Sequence, residues 1–218
     1  MAPVVMHGFD VPFIAIEGID GSGTSTQTHL LTNGLRNKGY KVFITQAPSA
    51  SLWGGRIRLV LNKQTLVDPL GLAFAFMADR VSHLSRVQSE LQARSDDLLV
   101  SGRLHLSFLA YQHRHTRKKM EWLSNLLKWL PFPDVTFFID ADPDECYARI
   151  KKRSGQDIFE SAYSLRAMRD GFFEAISFMT SKGQKIITVP GKDHVLEISA
   201  LILSHAQDEL GRIGRKAQ

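Results

Sequence analysis

A single cysteine, Cys146, is all the chain has, so no internal disulfide can form, and no cysteine and histidine cluster has the spacing of a zinc site. That excludes a disulfide-stapled scaffold and a zinc module, and makes a reducing compartment, the cytoplasm by default, the expectation. Long apolar runs are missing as well. The richest, Leu70 to Ala78, is far shorter than the ~20 residues that span a bilayer. The N-terminus lacks a basic segment followed by an apolar one, so neither a membrane span nor a targeting leader is expected. There is no internal repeat and no low-complexity tract. With 44% hydrophobic and 22% charged residues the composition is ordinary globular, and 218 residues suit one domain over 1–218. The net charge of +5 fits a phosphate-bearing partner. The basic run Gln112 to Lys119 reads as a solvated helix face, and nucleic-acid binding is not expected.

Hydrophobic periodicity and turn residues give five short apolar strands alternating with helices. The strands are Pro12 to Glu17, Tyr40 to Thr45, Asp97 to Ser101, Val135 to Asp140 and Lys185 to Val189. Helices are expected over Thr26 to Lys38, Gly54 to Asn62, Pro69 to Arg94, Leu106 to about Trp129, and Pro143 to about Arg153. Two more run to Ser181 and from Val195 to Leu210, the second followed by a frayed basic tail, Arg212 to Lys216. This alternation implies an α/β fold of three layers, a five-stranded parallel sheet with helices on both faces, as in P-loop NTPases. Ligands then belong at the carboxyl ends of the strands.

Between the first strand and first helix stands a glycine-rich loop, Gly18, Ile19, Asp20, Gly21, Ser22, Gly23, Thr24 and Ser25. It fits G-x-x-x-x-G-K-[ST] at every position except the lysine, which is Thr24. Such glycines let the backbone wrap a phosphate, and the N–H groups of the loop and of the following helix N-terminus, Thr26 included, suit anionic oxygens. Ser25 would place a hydroxyl on Mg²⁺.

The loop, followed by Phe76, Ala78, Asp79, Arg80 and His83 and then by Leu109, Ala110, Tyr111 and Gln112, resembles the thymidylate kinase family over roughly residues 13 to 160. The resemblance implies phosphoryl transfer from ATP to dTMP with Mg²⁺, and a homodimer through long helices that include Pro69 to Arg94. It puts the thymine ring on Phe76, the monophosphate on Arg80, the sugar and metal beside Asp20, and the deoxyribose against Tyr111. Arg58, Arg103 and Gln112 join the acceptor side. Asp20 and Arg103 carry catalytic roles together with cations of a lid at about 150–160, for which Arg149, Arg153 and Lys152 are candidates. Gly21 stands where one subgroup has an arginine, so this chain resembles the subgroup with lid-borne cations. Other readings stay open at the same residues: core packing for Phe76 and Tyr111, turn stabilisation for Asp20, a solvated helix end for the lid cations.

The chain departs from the family pattern at Thr24, at Gly102 in place of an acidic residue, at Ala47 in place of a glutamate, and at Ile158 in place of a lid arginine. Phe108 stands where a small or amide residue faces the base. These changes open a second reading, a nucleotide-binding homologue with weak or no catalysis, and a third, a kinase for another nucleoside monophosphate.

Overall fold

The computed structural model describes residues 8–154 and 162–216. Of the expected lid, residues 155–160, with Ile158, lie outside the described residues, as does the side chain of Arg153.

Five parallel strands form one sheet in the order β2-β3-β1-β4-β5: β1 (Phe13–Gly18), β2 (Val42–Gln46), β3 (Leu98–Gly102), β4 (Val135–Asp140) and β5 (Ile186–Pro190). β1 is central and buried throughout, and its apolar run Phe13 to Ile16 suits a strand covered on both faces. Side chains alternate across it. Phe13, Leu99 and Phe138 face one layer, packed with Leu84 and Val87 of α3 (Pro69–Arg94), Leu109 of α4 (His105–Thr116) and Phe172 of α7 (Ala162–Ser181). Ile14, Ile16, Val100 and Phe137 face the other, against Leu31 and Leu35 of α1 (Thr24–Asn37) and Ile198 and Ile202 of α8 (Val195–Lys216). The three-layer α/β fold read from the sequence is the fold observed. Two short helices, α2 (Leu52–Leu61) and α5 (Met120–Leu127), and α6 (Pro143–Ser154) complete the described elements.

Most boundaries lie within two residues of expectation, and two differ by more. The helix expected from Leu106 to Trp129 is two helices, because Arg117 at φ 55° ends α4 in a left-handed turn and α5 starts afresh at Met120. Nothing in the local sequence announces it: no glycine or proline marks the break at Arg117, Lys118 and Lys119. The basic tail beyond Leu210 is not frayed but continues α8 to Lys216. Glu209 draws Lys185 and Arg212 to 2.6 Å each, and basic residues in a last turn suit the negative end of the helix dipole.

Among the described residues no helix is long and apolar enough to cross a membrane.

Candidate active site

The glycine loop closes between β1 and α1 at the carboxyl edge of the sheet. Gly21 and Gly23 take φ of 82° and 92°, left-handed conformations that side chains disfavour. No side chain caps α1 at Gly23, so the N–H groups of its first turn remain available to an anion. Gly21 has a second reason to lack a side chain: a Cβ there would stand 2.5 Å from the Cys146 carbonyl oxygen of α6. The loop and α6 are in backbone contact.

Around this loop lies a cleft of about 610 Å³, lined by Asp20 through Gln27 and by Arg103, Arg149 and Lys152. Ser25 and Thr26 are exposed to it, Ser22 and Thr24 are buried in its floor, and the Ser22 hydroxyl has no partner. Asp193 and Val195, in and just after the loop that follows β5, close its far side.

Beside it is a smaller cavity of about 240 Å³, walled by Phe76, Arg80, Phe108, Tyr111 and Gln112, with Ala47 and Pro48 at its edge. Asp20 and Arg103 line both spaces. One Asp20 oxygen accepts from Arg103 Nη2 at 2.7 Å and the other from the Tyr111 hydroxyl at 2.9 Å. Burial alone would lower the Arg103 pKa, but Asp20, then Tyr111 and Glu17, outweigh it, so the guanidinium is held charged more firmly than usual. Burial and the Asp20 charge both push Tyr111 up, keeping its proton for that bond.

Arg80 is almost fully buried. Its Nη1 and Nη2 donate to the Phe76 and Leu104 carbonyls at 3.2 and 2.6 Å, and its guanidinium lies over the Phe76 and Phe108 rings. Burial lowers its pKa to about 10, partly offset by Glu17 and Asp79, so it stays charged at neutral pH. Gln112 is 2% exposed and its Oε1 has no partner.

Of the residues expected at the site, the structure gathers Asp20, Arg103 and Arg149 with the loop, and Phe76, Arg80, Tyr111 and Gln112 around the second cavity. Arg58 lines neither; it is exposed on α2 and donates to the carbonyl of Pro48, at the edge of the smaller cavity, at 3.2 Å. The sequence reading passed over Glu17, fully buried at the end of β1. One carboxylate oxygen accepts from the N–H groups of Leu104, Leu106 and Ser107 at 2.8, 3.0 and 3.2 Å, and the other from the Ser107 hydroxyl. Burial raises its pKa against these bonds and the Arg103 charge. Glu17 fixes the start of α4, and with it Phe108, Tyr111 and Gln112. Its signal was there: a charged residue inside an apolar strand. Also missed was the loop after β5, where a Cβ on Gly191 would lie 2.6 Å from Ala141 Cα.

The sequence model of the family described as thymidylate kinase matches residues 16–202. The chain belongs to the thymidylate kinase family. It is 34% identical over 172 residues to a probable thymidylate kinase of Thermococcus kodakarensis, covering 74% of this chain and 82% of that one. A probable thymidylate kinase of Pyrobaculum aerophilum is 36% identical over 160 residues, covering 72% and 79%. The crystal structure of thymidylate kinase from Ehrlichia chaffeensis superposes with a TM-score of 0.67 at 25% identity, covering 90% of this chain and 98% of that one.

The described positions expected to depart from the family pattern have structural settings. Ala47 lines the smaller cavity and is buried. A Cβ at Gly102 would come 3.1 Å from Thr28 Oγ1, at the foot of the loop helix. Thr24 sits in the loop with its backbone carbonyl accepting from the Thr28 hydroxyl at 2.8 Å.

Proposed function

We propose that the loop cleft takes ATP and the smaller cavity takes dTMP, so that the acceptor phosphate meets the γ-phosphoryl group at Asp20 and Arg103. The reaction is phosphoryl transfer from ATP to dTMP, giving ADP and dTDP. The observation that carries this assignment is the Asp20–Arg103 pair at 2.7 Å, the charged pair whose residues line both cavities.

Phosphoryl transfer needs little covalent help from the protein; it needs alignment and positive charge where negative charge builds. Loop N–H groups hold the donor phosphates, and Arg103, held charged by Asp20, bridges the two phosphates at the junction. Arg149 brings further charge from α6. Phe76 offers a flat face for the base, Arg80 supports the cavity wall and the phosphate end, and Tyr111 packs against the deoxyribose. Gln112 supplies amide hydrogen bonding beside it, and Arg58 guards the outer approach.

Among the described residues no three His, Cys, Asp or Glu side chains converge on a metal position. Mg²⁺ carried largely by phosphate and water oxygens would take the exposed Ser25 hydroxyl as its protein contact. Bound there, Mg²⁺ would neutralise phosphate charge.

Cytoplasmic location and a homodimer belong to the same reading. α3 leaves Phe74 and Val81 exposed, and Phe74 meets the ring of Trp122 edge-on, an apolar face suited to a second copy.

ADP release with dTMP, dUMP, dCMP, dAMP and dGMP tests the assignment. Turnover that prefers dTMP and is greatly reduced in Arg103→Ala supports it; turnover favouring another acceptor would reassign the base, and Phe108 is the residue that favours such an outcome.

A further inference from the structure

The loop position that carries lysine in the phosphate-binding pattern is Thr24 here, and its side chain is buried in the cleft floor. A hydroxyl cannot follow the migrating phosphoryl charge as an ammonium on a flexible stem does. A cation for that task must come from elsewhere. Among the described residues three side chains bring positive charge to the cleft lining, Arg103, Arg149 and Lys152.

Two of them are already placed by other contacts. Arg103 is bound to Asp20 at 2.7 Å. Arg149 pairs with Glu145 at 2.9 Å on its own helix and lies 3.5 Å from the Gly21 carbonyl. Lys152, three residues along α6 from Arg149, is exposed, lines the same cleft as Thr24 and Ser25, and enters none of the ion pairs formed among the described residues. It has the chemistry of the residue the loop lacks: a compact charge on a mobile four-carbon stem.

The backbone explains how a residue on α6 can serve the loop. Because Gly21 has no side chain, the Cys146 carbonyl packs where a Cβ would stand only 2.5 Å away. That contact seats α6 on the loop and fixes where Lys152 starts from.

Resting on the phosphoryl-transfer reading above, we infer that Lys152 is the catalytic cation that reaches the donor's terminal phosphates in place of a loop lysine. Lys152 forms and breaks no bond; its ammonium follows the charge as the phosphoryl group leaves the nucleoside diphosphate for the acceptor oxygen.

The test compares wild type, Lys152→Ala, Thr24→Lys and the double variant, measuring kcat, the KM for dTMP, and affinity for an unreactive ATP analogue. Lys152→Ala is expected to lose about 10²-fold or more in kcat, with weaker analogue binding and an unchanged KM for dTMP. Thr24→Lys is expected to restore the double variant to within about 10-fold of wild type, since one charge then replaces the other. Lys152 is exposed, so its removal leaves the fold intact, and thermal melts confirm this for each protein. Wild-type turnover with Lys152→Ala within about twofold of it would overturn the inference alone. A large loss that Thr24→Lys leaves unrepaired, in a folded protein, would also overturn it. A wild type inert with every acceptor would bring down the functional reading, and the inference with it.

Discussion

Asp20 holds Arg103 with one carboxylate oxygen and Tyr111 with the other, at 2.7 and 2.9 Å, where the two cavities meet. The pair is partly exposed, so its value is positional rather than a large stabilising energy. Asp20→Asn keeps the shape but weakens the grip on Arg103. Thermal stability is expected to change little while kcat/KM for dTMP falls by about 10²-fold, read from initial rates.

In the proposed complex Tyr111 limits the room the sugar has. Its ring meets Phe172 edge-on, and its hydroxyl is committed to Asp20. Tyr111→Ala is expected to raise the KM for dTMP and to narrow the preference for deoxyribose over ribose by about 10-fold, because the void admits a 2'-hydroxyl. The ratio of kcat/KM for dTMP and its ribonucleotide counterpart reports this.

Gly21→Arg would install the loop arginine of the other subgroup at φ 82° and against the Cys146 carbonyl. Strain and the displaced α6 are expected to lower stability by about 2–4 kcal/mol. Turnover should fall rather than rise. Chemical denaturation and initial rates together check both halves.

His105 is buried, with Nε2 on the Pro131 carbonyl at 2.8 Å, its ring against Phe132, and Nδ1 without a partner. Burial, with the nearby Arg80 charge, takes its pKa from 6.5 down to about 3. In the window between those values the unfolded chain binds a proton that the folded chain refuses. Its contribution is therefore full above 6.5 and declines as pH falls, by up to about 1.4 kcal/mol per pH unit. His83, also lowered by burial, adds in the same direction. Urea midpoints measured near about pH 7.5 and about pH 5 should differ less in His105→Gln than in wild type.

The strands were legible because each is a short, mostly apolar run ending near glycine, proline or a polar turn, as Phe13 to Gly18 and Val135 to Asp140 show. The glycine loop was legible because its residues are dictated locally by φ and by phosphate geometry. What the sequence concealed depends on distant partners. Nothing near Arg117 in the chain says that α4 must stop there. Glu17 stands out as a charge in an apolar strand, but its partners emerge only when α4 brings its N–H groups to the carboxylate. Arg80, expected on the monophosphate, spends both terminal nitrogens on the Phe76 and Leu104 carbonyls, a commitment set by how α3 packs on the turn before α4. Gly191 shows itself only through Ala141, fifty residues earlier in the chain.

The most direct test follows the phosphoryl group itself. Wild type and Arg103→Ala are incubated with ATP labelled at the γ-phosphate and with dTMP, and the nucleotides are separated. Label in dTDP with wild type, greatly reduced when Arg103 is absent from a protein that still melts cooperatively, is the expected result. Equal labelling by both proteins, or label released only as inorganic phosphate, would contradict a transfer made across the Asp20–Arg103 junction.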